Sequence, residues 1–135
     1  MDQADRPVVA VVDDEESVRR ALVRLLRTEN YCAEGFASAA EFLEALATHR
    51  PECLILDLQM PQMSGLELLQ RMLATGQGPP VIIITAYDEQ ETREQCLALG
   101  IEFYFRKPIA VDGLLTAVDQ IMRNVQAGRN VPPRH

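Results

Sequence analysis

Apolar runs too short for a helix recur along this chain, each followed by a longer segment with helical spacing, five times over. Residues 81–84 read Val-Ile-Ile-Ile, and residues 8–12 hold four valines around Ala10, so neither run alternates between polar and apolar. Continuous runs of this kind belong in strands covered on both faces, because a strand with one wet face alternates. Residues 53–56 predict a third such strand, residues 31–36 a weaker second one, and residues 101–105 a fifth. Helical stripes lie between them: Val18, Ala21, Leu22, Leu25 and Leu26, then Ala39, Phe42, Leu43 and Leu46. Further on come Leu66, Leu69, Met72 and Leu73, a polar segment at 89–99, and finally Leu114, Val118, Ile121, Met122 and Val125. Ser38 with Glu41, and Asp88 with Glu91, have the spacing of capping boxes, while Gly76 and Gly100 can close helices. Alternation through right-handed crossovers gives an α/β fold, a single doubly wound parallel sheet of five strands with helices on both faces.

The 135 residues suffice for one domain with its own core. That domain is expected over residues 1–125, with a C-terminal tail or the start of a linker at 126–135, where Gly128, Pro132 and Pro133 gather. A formal charge of −7 offers no basic footprint, so direct contact with nucleic acid or an anionic membrane is not expected. Cys32, Cys53 and Cys96 are widely spaced and odd in number, which supports neither a zinc site nor a disulfide framework. They read as small buried hydrophobes in a reducing cytosol. Residues 1–6 lack the cationic and apolar regions of a secretory signal, and no apolar run approaches membrane-spanning length. The expected location is therefore cytoplasmic.

Chemistry collects at the carboxyl ends of the strands. Asp13 and Asp14 follow the first, Asp57 the third, Thr85 the fourth and Lys107 the fifth. In a parallel sheet these ends share one edge, and a strand order of 2-1-3-4-5 puts the reversal between the two strands that deliver the acids. Three carboxylates placed together repel unless a cation sits among them. Hard oxygen ligands suit Mg2+, which keeps several waters and also takes phosphate oxygens. An Asp can attack a phosphoryl group and hold it as an acyl phosphate, with the metal and Lys107 offsetting the charge on the oxygens. Each residue alone has a plainer role, since Asp pairs cap turns, Thr85 can satisfy backbone groups and Lys107 can be a solvated strand-end charge. Their joint occurrence at four strand ends favours the chemical reading.

The residues Val12-Asp13-Asp14, Leu56-Asp57-Leu58-Gln59-Met60-Pro61 with Gly65, Ile84-Thr85-Ala86 and Arg106-Lys107-Pro108 resemble the motif set of two-component response-regulator receiver domains. They occur in order and at fitting spacing across residues 7–125. The resemblance implies a flavodoxin-like (βα)5 fold with Asp57 as the phosphoacceptor. It implies Mg2+ held by the carboxylates of Asp14 and Asp57 and the backbone carbonyl of Gln59, with Asp13 acting through a metal-bound water. Lys107, Thr85 and Ala86 would bind the phosphoryl group, the Lys107–Pro108 bond would be cis, and Thr85 and Tyr104 would form the moving switch pair. The implied donor is a histidine kinase or a histidine phosphotransfer protein. The implied output is a changed surface around the fourth helix, fifth strand and fifth helix, which alters affinity for a protein partner or for a second copy. Such a chain accepts a phosphoryl group and slowly hydrolyses it, and is not an enzyme in the turnover sense.

Residues 60–65 (MPQMSG) and the first helix resemble receivers of the subfamily that often carries a helix-turn-helix output domain, here without that domain. The chain departs from the common pattern at Ile101, where a small residue usually follows the glycine, and at Phe103, which adds bulk next to Tyr104. Two other readings compete. One is a constitutive protein-interaction module with this fold but no phosphotransfer, against which the intact acid, threonine and lysine set argues. The other is a hydrolase with an Asp nucleophile, which needs a neighbouring general base and a cap domain. His49 reads as an ordinary loop histidine.

Overall fold

The computed structural model describes residues 6–76 and 78–130, so the expectations for residues 1–5 and 131–135 lie outside the described residues. Strands β1 (Val8–Val12), β2 (Cys32–Phe36), β3 (Cys53–Asp57), β4 (Val81–Thr85) and β5 (Phe103–Arg106) alternate with helices. The helices are α1 (Glu16–Thr28), α2 (Ala39–Leu46), α3 (Gly65–Thr75), α4 (Gln90–Ala98) and α5 (Val111–Asn130). Every strand pair is parallel and the order is β2-β1-β3-β4-β5.

The sheet divides two apolar layers. On one side Val9, Val11, Ile55, Ile82 and Ile84 meet Leu22 and Leu26 of α1 and Leu114, Val118 and Ile121 of α5. On the other, Val12, Leu54, Leu56 and Ile83 meet Phe42 of α2, Leu68, Leu69 and Met72 of α3, and Cys96 of α4. This double coverage is why β3 and β4 carry no alternation: all their residues are buried, the polar ends Asp57 and Thr85 included. No helix among the described residues is long and apolar enough to cross a membrane.

Most local signals act as expected. The Ser38 hydroxyl accepts from the Glu41 N–H at 3.2 Å, and the Glu41 carboxylate accepts from the Ala37 N–H at 2.8 Å, closing the box one residue before the cap. Gly76 and Gly100 take φ of +69° and +87° as their helices end, a conformation that costs glycine nothing. Cys53 and Cys96 are fully buried and Cys32 partly so. Burial pushes the Cys53 thiol up to about 12 and raises that of Cys96, so neither is poised to react.

Other signals give way to tertiary packing. Asp88 does not cap α4, whose N-cap is Glu89 without a side-chain hydrogen bond; the Asp88 carboxylate is taken instead by Arg93 at 2.7 Å. Ala21 is exposed, the α1 stripe running through Val18, Leu22 and Leu26, and Leu68 rather than the half-exposed Leu73 fills the α3 face. Ile101 belongs to the turn before β5, where its N–H turns back to the Cys96 carbonyl. Helix α5 continues to Asn130, so residues 126–130, expected as a C-terminal tail or the start of a linker, are helical.

Gln62, in the loop before α3, has φ of +67°, a region a side chain with a Cβ enters at a cost of about 1–2 kcal/mol. The variant Gln62→Gly is expected to gain about 0.5–1 kcal/mol, after glycine's larger unfolded-state entropy is subtracted. A urea midpoint that fails to rise would show that the Gln62 side chain compensates for its backbone.

Candidate functional site

The strand ends are fixed by backbone hydrogen bonds that run one residue past the strands. The Asp13 N–H donates to the Phe36 carbonyl at 3.1 Å, Leu58 to Ile84 at 3.2 Å, and Lys107 to Thr85 at 2.7 Å. Side chains at those ends therefore project from an ordered edge. The Asp13 carboxylate accepts from the Glu15 N–H at 2.9 Å, and the Asp13 carbonyl accepts from the Arg19 guanidinium at 2.9 Å. After β3 the chain curls so that the Gln59 N–H donates to the Asp57 carboxylate at 3.1 Å.

One carboxylate oxygen each from Asp13, Asp14 and Asp57 lies within 4.8 Å of the others, with Asp13 and Asp57 buried and Asp14 exposed. The Lys107 ammonium is 3.0 Å from Asp13, 3.5 Å from Glu15 and 3.7 Å from Asp57. Three carboxyl groups thus face a single ammonium, and Asp14 adds a fourth to the cluster beside them. Burial, and then the Asp13 charge, push the Asp57 carboxyl up to about 7, against the opposing pull of the Gln59 N–H and Lys107. Burial disfavours the Lys107 ammonium, but its hydrogen bond to Asp13 and the charges of Asp57, Asp13 and Glu15 hold its pKa above the ordinary value. An all-oxygen donor set with surplus negative charge, open on the Asp14 side, fits a hard divalent cation.

Thr85, although buried beside this edge, is turned to the loop after β4. Its hydroxyl donates to the Tyr87 carbonyl at 3.0 Å and accepts from the Tyr87 N–H at 3.2 Å. Ala86 is exposed in the same loop, and the Lys107–Pro108 bond is cis. Tyr104 packs partly buried against the layer that holds α4, and its buried hydroxyl has no hydrogen-bond partner. Burial, followed by the Asp88 charge, raises its pKa. Phe103 does not crowd Tyr104. It lies on the opposite face of the sheet, stacked on Phe105 with ring centroids 6.4 Å apart. His49 is an exposed side chain 3.9 Å from Glu34.

The structure therefore gathers Asp13, Asp14, Asp57 and Lys107 into one pocket, and leaves Thr85 and Tyr104 engaged elsewhere. Residues 9–119 match the response regulator receiver domain family. The chain belongs to that family. It is 35% identical over 118 residues to the response regulator MprA of Mycobacterium ulcerans (strain Agy99), an alignment covering 87% of this chain and 51% of that protein. The chain spans about half the length of the curated relatives it matches. A response regulator receiver protein from Burkholderia phymatum superposes with a TM-score of 0.75 at 42% identity, covering 86% of this chain and 94% of the other. One from Pseudomonas putida gives 0.82 at 29%, covering 85% and 97%. Receiver domains bind Mg2+ at their acidic pocket and are phosphorylated by histidine kinases, so membership gives the three-carboxylate cluster a context.

Three features of this receiver escaped the sequence reading. Glu15 joins the Lys107 cluster because it sits at the N-cap of α1, directly over the pocket edge. Ser64 caps α3 by accepting from the Glu67 N–H at 3.2 Å, a Ser-x-x-Glu signal that was legible. Gly65 looks like loop punctuation in the sequence, yet a Cβ there would come within 2.5 Å of the Asp57 carbonyl oxygen and 2.9 Å of the Leu58 Cα.

Proposed function

We propose that this receiver is a phosphorylation-activated switch that takes a phosphoryl group on Asp57 from a histidine kinase or histidine phosphotransfer protein. The observation that carries the reading is the buried Asp57 carboxylate, 3.7 Å from the Lys107 ammonium and clustered with Asp13 and Asp14. The carboxylates of Asp14 and Asp57 and the carbonyl of Gln59 would hold Mg2+, with Asp13 acting through a water. That ion, when bound, supplies the positive charge the pocket lacks and shares in neutralising the phosphoryl oxygens.

An ionised Asp57 oxygen attacks phosphorus, the phosphorus–nitrogen bond to the donor's histidine breaks, and the electron pair leaves with the imidazole. Lys107 exchanges part of its contact with Asp13 and Glu15 for a phosphoryl oxygen. Thr85 leaves its turn with Tyr87 to donate to another, Ala86 contributes from the backbone beside it, and Tyr104 follows into the space released. The α4-β5-α5 face then presents a different surface, which changes binding to a protein target or to a second copy. Turnover is confined to slow self-hydrolysis, so the protein acts as a switch and not as an enzyme. In this reading the switch works in the cytoplasm. The acidic chain makes no direct contact with nucleic acid.

Intact mass after incubation with acetyl phosphate tests this. One phosphoryl group is expected with Mg2+, none with EDTA, and none on Asp57→Asn. Phosphorylation that persists in that variant would move the acceptor elsewhere, and no gain in wild type from either acetyl phosphate or a phosphorylated histidine donor would leave a constitutive interaction module. Tyr87 is 65% exposed, and in this reading its ring crowds the path of a hydrolysing water. The acyl phosphate of Tyr87→Ala should accordingly decay faster than that of wild type, and equal decay rates would remove Tyr87 from the mechanism.

A further inference from the structure

We infer that Arg93 is a positioning residue that holds the Tyr104 ring in its resting seat and links it to Thr85. The inference rests on the switch reading above and assigns a part to a residue outside the pocket.

Helix α4 is the least anchored of the five. It buries only Cys96, and its first turn has no side-chain cap. Arg93 links its N-terminal half to the loop before it and to β5. The Arg93 guanidinium lies 2.7 Å from the Asp88 carboxylate and 4.9 Å above the Tyr104 ring centroid. An exposed ion pair of this kind is worth little by itself, but the stack on an aromatic face adds a fixed geometry. The Tyr104 hydroxyl has no hydrogen-bond partner in good geometry, and the nearby Asp88 carboxylate acts on it by charge, so packing, the guanidinium and the Asp88 that orients it together seat the ring.

Asp88, which orients Arg93, directly follows Tyr87, and Tyr87 is the residue whose backbone both gives to and takes from the Thr85 hydroxyl. A continuous chain of contacts results: Thr85 to Tyr87, one residue on to Asp88, across to Arg93, and down onto Tyr104. When Thr85 turns to the phosphoryl group, it gives up the turn that sets Asp88, and the clamp on Tyr104 loosens with it. Without Arg93, the resting form loses a restraint and the phosphoryl-accepting form gains population.

The test is a double-mutant cycle of Arg93→Ala and Thr85→Ala with two readouts. The first is the rate of phosphorylation by acetyl phosphate with Mg2+. Arg93→Ala is expected to raise it about two- to fivefold when Thr85 is present and to leave it unchanged when Thr85 is alanine. An unaltered rate, or the same factor in both backgrounds, overturns the inference. The second readout needs no phosphoryl group: the fluorine resonance of 3-fluorotyrosine at Tyr104, with Tyr31 and Tyr87 changed to Phe. Thr85→Ala should move that line when Arg93 is present and leave it in place in Arg93→Ala; movement in both, or in neither, overturns the inference. Should neither acetyl phosphate nor a phosphorylated histidine donor modify wild type, the switch reading falls while the fluorine cycle still decides for or against the clamp. Asp88→Asn, which spares the helix itself, should reproduce the Arg93→Ala results if that variant disturbs α4.

Discussion

In metal-free buffer at pH 8, Asp57→Asn is expected to melt about 8 °C above wild type, and at pH 4 the two should nearly coincide. The Asp57 carboxyl is pushed from an unperturbed 3.8 up to about 7, chiefly by burial and then by Asp13. Between those values the folded protein holds a proton on Asp57 that the unfolded chain has released. Stability therefore falls as pH rises through the window from about 4 to 7, and remains low above it. A shift of this size has a ceiling of roughly 4 kcal/mol. Sharing of the charge with Asp13 and solvent access past Asp14 bring the expected effect to about 2 kcal/mol, which gives the melting difference stated. An amide keeps the shape of the side chain and its acceptor for the Gln59 N–H while removing the charge. Adding Mg2+ should raise the wild-type midpoint and move that of Asp57→Asn far less, since a cation stabilises the folded state only where its ligands are charged and gathered. Melts across pH 4–8 with EDTA or Mg2+ measure all of this. A variant less stable than wild type at pH 8 would mean that the pocket tolerates the Asp57 charge without help.

Gly65→Ala should cost about 2–3 kcal/mol, although alanine favours a helix start more than glycine does. The added Cβ would lie 2.5 Å from the Asp57 carbonyl oxygen and 2.9 Å from the Leu58 Cα, and neither atom belongs to a side chain that can swing away. Relief requires α3 to withdraw or the end of β3 to move, and the second displaces the acceptor. Mg2+ affinity should fall along with stability. Gly76→Ala is the control: nothing lies within 4 Å of its Cβ position, so only its φ of +69° opposes the change, at about 1 kcal/mol and with Mg2+ affinity intact. Urea melts and Mg2+ titration of both variants check the contrast. A Gly65→Ala protein as stable as wild type would show that the β3–α3 loop yields at no cost.

These cases mark how far the sequence could be read. The run at 81–84 declares a covered strand because no polar residue interrupts it, and Asp13, Asp14, Asp57 and Lys107 declare a shared edge once the strands are parallel. Gly65 could be seen but not interpreted, since its reason is the close approach of α3 to the backbone of β3, a contact between elements. Asp88 shows the opposite failure. Its spacing to Glu91 satisfies the local rule for a cap, yet Arg93 offers the carboxylate a charged partner and the helix opens without it. Ala21 and Leu73 were placed on buried faces because helical period alone cannot tell the middle of a stripe from its margin. Phe103 and Tyr104 are neighbours in sequence and lie on opposite faces of the sheet, so the bulk of one leaves the other free.

Lys107 is the only lysine in the sequence, the other cationic side chains being arginines. Its ammonium is enclosed by Asp13, Glu15 and Asp57, and its pKa is raised, so it is a poor nucleophile while that enclosure stands. An amine-directed reagent therefore meets one internal target, and the pace of its reaction reports how tightly the three carboxyl groups and their counter-ions hold the lysine. Acylation of this protein becomes a solution assay for the occupancy of its own pocket, with no label to introduce and no competing side chain to subtract.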